Sequence, residues 1–323
     1  MLRHSRRLPL VATAAHPAAS TSRASEAPST CSNEVCHRNT SGGSGGFLAT
    51  LRSLVAWNRT NAAAASSSSS ASCAATPKCI SSSAALDTVE AAVRVRWTCR
   101  QFDTEKPVDL HTLKRVLAAT VRSPTGFNLQ GWHAVVVTNP AVREQLFKAS
   151  LGQPQVLQAP ATVVFVGDTE PERNAPQALE MGLDTGYYGP LYGPAYLRNV
   201  YYLMHGGPMQ SMAAVKSVVS TWYSRAAGTP LISVPVSRVG YAWKQTMIPA
   251  TTFVHLCTAA GWDTCMMEGI DEDAVKRVLC IPVQRYTVPV IVSVGYATTA
   301  ETAKSQLRSP RFATPHTVRW NRF

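Results

Sequence analysis

The sequence predicts a domain of the α/β or α+β class, in which helices cover a central sheet. Two observations support this class. Stretches with apolar residues at helical spacing alternate along the chain with short runs of apolar and β-branched residues. Of these runs, "HAVVV" and "ATVVFVGD" are typical of buried strands, and "VPVIVSVGYA" is a third predicted strand.

The helices in the first half of the domain have recognisable starts. Helical spacing appears first in "LDTVEAAVRVRW", residues 86–97. Asp109 is a suitable N-cap for a second helix, whose predicted apolar face consists of Leu110, Leu113, Val116 and Leu117. Asn139 followed by Pro140 is an N-cap and first-turn pair for the helix "AVREQLFKAS".

The second half is less regular. Residues 169–242 are rich in Gly, Pro and Tyr, which predicts helical pieces and long loops. An apolar helix is expected at about 242–260, although Pro249 must kink or break it. Asp271 is predicted to cap the helix "EDAVKRVLC", and the chain ends in a basic tail.

The composition divides the chain at about residue 86. Residues 1–86 carry eight Lys or Arg and two acidic residues, so half of the formal net charge of +12 lies there. They are dominated by Ala and Ser, and their few apolar groups cannot offset the entropy cost of ordering. We expect a disordered basic extension at 1–86 and one folded domain at 87–323.

The first 25 residues are rich in Arg and Ser and contain no acidic residue. This composition is typical of a mitochondrial transit peptide, and a generic basic tail is the alternative. The prediction is a mitochondrial protein, or otherwise a cytoplasmic one, without an integral membrane segment.

Binding of nucleic acid is disfavoured because aromatic residues do not interleave with the basic ones as a stacking surface requires.

The eight cysteines form no Cys-x-x-Cys pair, and no Cys/His set has zinc-finger spacing. We therefore expect no metal site. Within 87–323, three of the four cysteines have apolar neighbours in sequence, which suits reduced structural thiols.

Four clusters could bind a ligand. They are Arg96–Arg100, where two arginines four apart would share a helix face; the loop "SPTGFNLQGW" at 123–132; "MEGID" at 267–271; and the basic tail with Arg308 and Arg311. Each has a simpler explanation on its own: a solvated helix face, a turn or a solvated tail. No Gly-rich dinucleotide motif, P-loop or Ser-His-Asp set accompanies them in the folded part.

Together the clusters resemble the motifs of the oxygen-insensitive type I nitroreductases, an FMN-dependent family. The family's Arg-x-Ser-x-Lys/Arg-x-Phe motif stands here as Arg96, Thr98, Arg100 and Phe102. Its Ser-Pro-Ser-Ser-x-Asn-x-Gln-Pro-Trp motif stands as "SPTGFNLQGW", its Glu-Gly-Phe-Asp turn as "EGID", and its Lys-Gln helix as "WKQTMIPATTFVHLCTAAGWDT". The departures are Thr98 for Ser, Gly126 for the second loop Ser and Gly131 for Pro. The basic extension is similar to that of mitochondrial trypanosomatid members.

The resemblance implies a three-layer α+β fold, with a central mixed, mostly antiparallel sheet covered by helices. It also implies a homodimer with the flavin at the interface. The implied flavin contacts are Arg96, Thr98, Arg100, Gln155, Glu268, Gly269, Arg308 and Arg311 from one subunit, and Pro124, Thr125, Gly126 and Asn128 from the other. Trp132 would anchor the loop, and Glu268 and Gly269 would lie at the reactive edge of the ring as the catalytic residues.

The implied activity is two-electron, ping-pong reduction of nitroaromatic compounds or quinones by NAD(P)H through bound FMN. A non-enzymatic flavin-binding or redox-interaction protein with the same fold is the alternative. A pocket sealed by the 169–242 segment would favour that alternative.

Overall fold

The computed structural model describes residues 83–228, 234–235, 237–307 and 309–323. The predicted extension at 1–86 lies outside this part of the chain except for its last four residues. Its disorder, its boundary and its targeting role therefore stay predictions. Arg308 also lies outside the described residues.

The elements alternate as predicted, apart from a strand at Asp263–Met267 that was not predicted. The helices are α1 (Ser83–Val95), α2 (Leu110–Thr120), α3 (Pro140–Ala149), α4 (Gln155–Gln158), α5 (Ala175–Asp184), α6 (Gly193–Met204), α7 (Ser211–Ala227), α8 (Arg238–Ala259), α9 (Glu272–Val278), α10 (Thr299–Ser305) and α11 (Thr314–Thr317). The strands are β1 (Trp132–Val137), β2 (Ala161–Asp168), β3 (Asp263–Met267) and β4 (Tyr286–Gly295). Helices α5 to α7 confirm the helical pieces expected in 169–242.

The three predicted N-caps are confirmed. The Asp109 carboxylate accepts hydrogen bonds from two backbone amides of α2. The Asn139 side chain caps α3, and the Asp271 side chain accepts from the amide of Ala274 in α9. The predicted face of α2 is correct at Leu113 and Val116, which are buried, and wrong at Leu110, which is 53% exposed.

The four strands form a sheet in the order β1-β2-β4-β3, in which every pairing is antiparallel. A single parallel bridge joins Thr98 to Thr264 at the outer side of β3. The four strands are thus antiparallel throughout, where a mixed, mostly antiparallel sheet was predicted, and the one parallel contact comes from outside the named strands. Strand β2 is buried along its whole length, as predicted. The prediction of a buried "HAVVV" is wrong, since β1 forms a sheet edge that the helices cover only in part.

Apolar side chains cover both faces of the sheet and define three layers. On one face, Val164 and Val166 of β2 pack with residues of α3, α4 and α9. On the other, Val163 and Phe165 of β2 pack with residues of α2 and α8. A third cluster around Tyr196 joins α5 and α6 to the loop before β1. Successive side chains of an extended strand point to opposite faces, so β2 contributes apolar side chains to the cores on both sides of the sheet.

Helix α8 begins at Arg238, four residues earlier than predicted, and continues through the buried Pro249. It is assigned as one helix across that position, where a kink or break was expected. No helix among the described residues is long and apolar enough to span a membrane.

The thiols of the folded part differ sharply in accessibility. Cys99, Cys257 and Cys265 are buried, whereas Cys280 is exposed. Burial raises the pKa of all three buried thiols, that of Cys99 to about 12. Raised pKa values keep these groups as neutral thiols at pH 8 to 9, where little of the reactive thiolate forms.

We expect iodoacetamide at pH 8 to label Cys280 at least about a hundredfold faster than Cys99, Cys257 or Cys265. Peptide mass spectrometry of the folded chain, with a urea-unfolded sample as control, measures the rates. Equal labelling of Cys99 and Cys280 in the folded chain would contradict the buried position of Cys99.

Candidate functional site

The first cluster lies on an extended segment and not on a helix. Helix α1 ends at Val95, and the amide of Cys99 donates to the carbonyl of Thr264 at 3.0 Å, so the chain runs beside β3. The predicted helix face shared by Arg96 and Arg100 is therefore wrong. In an extended segment alternate residues face one side. Accordingly, Thr98 and Arg100 are exposed whereas Cys99 between them is fully buried.

Two neighbouring helices hold this segment in place. The amide of Arg100 donates to Glu301 of α10 at 3.0 Å, and the amide of Phe102 donates to Gln158 of α4 at 3.1 Å. Glu301 is 3% exposed, and its hydrogen bond from Lys304 lowers the pKa of the carboxyl. Phe102 is itself buried and belongs to the core. The Arg100 guanidinium is thus carried on a backbone that is fixed on both sides.

The turn after β3 docks against the start of α4. The Gln153 side-chain amide donates to the carbonyl of Gly269 at 2.7 Å, and the amide of Asp271 donates to the carbonyl of Ala149 at 2.8 Å. Gln155 is 7% exposed, and its Oε1 atom has no hydrogen-bond partner among the described residues. Sequence reasoning missed Gln153, although three glutamines lie within residues 153–158.

Glu268 and Gly269 are exposed at this turn. A Cβ added to Gly269 would meet only the Gln153 side chain, at the ordinary contact distance of 3.8 Å. The chain's own packing therefore does not require glycine at 269. Beside the turn lies an open cleft of about 260 Å³, lined by Trp243, Met247, Glu268, Ile270, Glu272, Val288 and Pro289.

The loop before β1 has an unusual backbone. Phe127, Asn128 and Gln130 have φ values of 55°, 54° and 48°, in the left-handed region that residues other than glycine rarely adopt. Each such residue costs roughly 1 kcal/mol or more. Residues of this kind persist only where surrounding contacts impose them, and they concentrate at functional sites.

Four hydrogen bonds impose this conformation. The hydroxyl of Thr125 accepts from the Gln130 amide at 3.0 Å, and Oε1 of Gln245 accepts from the Gly126 amide at 2.7 Å. The Tyr196 hydroxyl donates to the carbonyl of Phe127 at 2.8 Å, and the Asn174 side chain donates to the carbonyl of Leu129 at 2.9 Å. Three of the four partners lie on elements distant in sequence, and none was predicted.

Leu129, 2% exposed, inserts into the cluster around Tyr196 and anchors the middle of the loop. Trp132, predicted as the anchor, is half-buried and lies against Phe165, with ring centroids 6.2 Å apart. The loop is therefore fixed at both positions. Pro124 and Asn128 are exposed, and Thr125 and Gly126 are half-buried, so the loop presents polar groups at the surface.

Tyrosine rings connect the loop to the 169–242 segment. The rings of Tyr188 and Tyr192 lie 4.9 Å apart, those of Tyr192 and Tyr196 5.8 Å apart, and Tyr196 meets Phe127 edge-on at 6.2 Å. Burial raises the pKa of Tyr196, so its hydroxyl stays protonated and can donate at neutral pH.

The predicted residues divide between the two edges of the sheet. Arg96, Thr98, Arg100, Gln155, Glu268 and Gly269 lie on or beside the β3 edge. Pro124, Thr125, Gly126 and Asn128 precede β1, which forms the opposite edge. Three strand spacings separate these edges, or about 14 Å. Arg311 is in the exposed tail, where its guanidinium donates, among the described residues, to Ser309 and to the carbonyl of Pro310.

Comparison with known proteins gives consistent matches. The sequence model of the nitroreductase family matches residues 93–296. A "NADH dehydrogenase" of Thermus thermophilus is 27% identical over 211 residues, which are 65% of this chain and 87% of that protein. A putative NAD(P)H nitroreductase of Bacillus subtilis, YodC, is 22% identical over 205 residues, which are 64% of this chain and 87% of that protein.

A solved structure shares the fold. It is that of a putative nitroreductase from Exiguobacterium sibiricum in complex with FMN, with a TM-score of 0.53 and 16% identity. The superposition covers 72% of this chain and 97% of that one. The predicted α+β class and three-layer arrangement are thereby confirmed.

We expect Tyr196→Phe to loosen the loop, because the Phe127 carbonyl loses its donor while the ring packing is retained. One such hydrogen bond contributes about 1 kcal/mol, so exchange of the amides at 125–130 should rise about fivefold. Hydrogen exchange with mass spectrometry measures this effect.

Tyr192→Phe is the matched control, since it belongs to the same ring stack and its hydroxyl makes no hydrogen bond within the described part of the chain. Equal exchange in the wild-type chain and in Tyr196→Phe would show that the hydroxyl does not hold the loop.

Proposed function

The chain belongs to the nitroreductase family, and we propose that it is an FMN-dependent NAD(P)H oxidoreductase that reduces nitroaromatic compounds or quinones. The family uses FMN, and its members named above support an oxidoreductase. One observation carries the proposal to this chain. Three separate segments lie along one sheet edge, and they carry Arg96 and Arg100, Gln155, and Glu268 and Gly269. Of these residues, Glu268 also lines the open cleft.

The residues at this edge suit FMN. A phosphate requires cations and hydroxyls, which Arg96 and Thr98 provide on one extended segment, and Arg100 follows two positions later on the same segment. The polar edge of a flavin ring requires hydrogen-bond partners. Gln155 offers a buried Oε1 atom without a partner among the described residues, and Gly269 is exposed and has no side chain that would keep a ligand from its backbone.

The second edge supplies the remaining predicted contacts. The 124–128 loop precedes β1, and three strand spacings, about 14 Å in all, separate the β1 edge from the β3 edge. We propose a homodimer in which the loop of one subunit reaches the flavin of the other. The left-handed conformation of the loop supports this role, because it fixes the exposed polar groups before any ligand arrives.

The flavin, when bound, would accept a hydride from NAD(P)H and deliver two electrons to the acceptor. The protein's part is positioning and charge. Arg100 would lie near the pyrimidine side and stabilise the negative charge that develops there during transfer. The backbone amides at Glu268 and Gly269 would fix the reactive edge of the ring. No side chain is needed as a general acid or base.

The cleft beside Glu268 favours an enzyme over a flavin carrier. It is open to solvent and flanked by the indole of Trp243 and the side chain of Met247, which suit a flat aromatic compound. Donor and acceptor would occupy this one cleft in turn, which gives ping-pong kinetics.

We further propose import into mitochondria. A fluorescent protein fused to residues 1–86 would test it, and a diffuse cytosolic signal would refute it.

The function is tested with the purified full chain and added FMN, by visible absorbance in the absence of oxygen. We expect a bound flavin band that NADH or NADPH bleaches and that a nitrofuran or a quinone restores. A band that neither donor bleaches would identify a flavin-binding protein without this activity. A chain that takes up no FMN would overturn the proposal.

Arg100→Gln should slow flavin reduction by NAD(P)H about tenfold or more and make the flavin potential more negative, since a fixed cation near the developing charge is lost. Stopped-flow absorbance and a redox titration measure the two effects. Arg115→Gln, an exposed arginine on α2, is the control. An unchanged rate and potential in Arg100→Gln would remove Arg100 from the flavin site.

A further inference from the structure

Gly126 occupies a position where the chain leaves no room for a side chain. A Cβ placed on Gly126 would overlap the hydroxyl oxygen of Tyr241, the nearest atom to that point. The family motif has a serine at this position, and the structure shows that a phenol hydroxyl from α8 fills the place of its side chain. Two hydroxyls cannot stand at the same point, so Gly126 and Tyr241 depend on each other.

Tyr241 and Gln245 both contact Gly126 from the same face of α8. They are four residues apart, which places them one above the other on the helix. Oε1 of Gln245 accepts from the Gly126 amide at 2.7 Å, while the Tyr241 hydroxyl lies over the Cα side of the same residue. Helix α8 therefore fixes both the backbone of the loop and the hydroxyl that accompanies it.

The Tyr241 hydroxyl has hydrogen-bonding capacity that the described part of the chain does not use. The structure shows no hydrogen-bond partner for it among the described residues, although the ring is half-buried in the cluster around Tyr196. The ammonium of Lys244 lies 4.9 Å from the centre of its ring. Burial raises the pKa of Tyr241 to about 12, so the group remains a neutral donor at physiological pH.

We propose that Tyr241 is a flavin-binding residue, which supplies from α8 the hydroxyl that Gly126 lacks in the loop. This inference rests on the proposed function, because it assumes that the loop meets the flavin of a partner subunit. Tyr241 and Thr125 would then present two hydroxyls on either side of Gly126. The site would keep its number of donors although one loop serine is absent.

Three variants test the exchange: Tyr241→Phe, Gly126→Ser, and the two combined. Each is purified as the full chain, its flavin is removed, and FMN is titrated back by fluorescence, with thermal unfolding of the flavin-free protein measured in parallel. Tyr241→Phe should weaken FMN binding about three- to tenfold, the effect of one hydrogen bond. Gly126→Ser should weaken binding and lower the melting temperature, because its side chain overlaps the phenol.

The double variant decides the matter. It restores one hydroxyl and removes the overlap, so its FMN affinity should return to within about twofold of the wild-type value. If the losses of FMN affinity in the two single variants add in the double variant, the proposal is overturned. An unchanged FMN affinity in Tyr241→Phe would also overturn it. Tyr192→Phe, in the same cluster, should bind FMN as the wild-type chain does.

Failure of this inference is distinguishable from failure of the proposed function. A wild-type chain that binds FMN and is reduced by NAD(P)H, together with a Tyr241→Phe variant of equal affinity, refutes only the role of Tyr241. A wild-type chain that binds no FMN refutes both. Should Tyr241→Phe fail to fold, recovery of FMN affinity by the double variant still supports the exchange, and its absence refutes it.

Discussion

The pairing of β2 with β4 is the interaction on which the rest of the structure depends. Both strands lie at the centre of the sheet, and β2 is buried on both faces. Their backbone groups are satisfied by each other and by the outer strands, because no water reaches them. Even the hydroxyls of Thr162 and Ser293 on this pair are fully buried and bond to each other at 3.0 Å.

This central pair determines where function can reside. Two apolar faces require helices on both sides, which leaves only the edges and the strand ends accessible. The extended segment at 96–102 lies along the β3 edge and the strained loop precedes β1 at the other. The cost of three left-handed residues, roughly 1 kcal/mol or more each, is of the same order as the gain from four hydrogen bonds of about 1 kcal/mol each. The loop is thus held in its shape by contacts from α6, α8 and the turn before α5.

The sequence predicted what local chemistry determines. The N-caps Asp109, Asn139 and Asp271 were correct because a cap depends on neighbouring residues alone. The prediction of β2 as a buried strand was correct, because a fully apolar run fits almost only in the interior of a fold. The motif residues were identified through resemblance to the family, and the structure gathers several of them at one edge.

Properties set by distant contacts were not predicted. Residues four apart, such as Arg96 and Arg100, share one face of a helix and also one side of an extended segment. Only the hydrogen bond from Cys99 to Thr264 shows that the segment is extended. The exposure of β1 depends on its place in the strand order. The bonds from Gln153 to Gly269, and between Gln245 and Gly126, join residues 116 and 119 positions apart, and no spacing rule reaches that far.

The hydrogen bond from Tyr196 also limits how the protein can evolve. It joins α6, in the 169–242 segment, to the loop that carries one of the family's motifs. A hydrogen bond weakens once its atoms separate by a few tenths of an ångström. Insertions or substitutions that shift α6 would therefore disturb the loop as well. The two regions are not independent modules, and changes in the 169–242 segment preserve the loop only where they leave the position of one phenol oxygen intact.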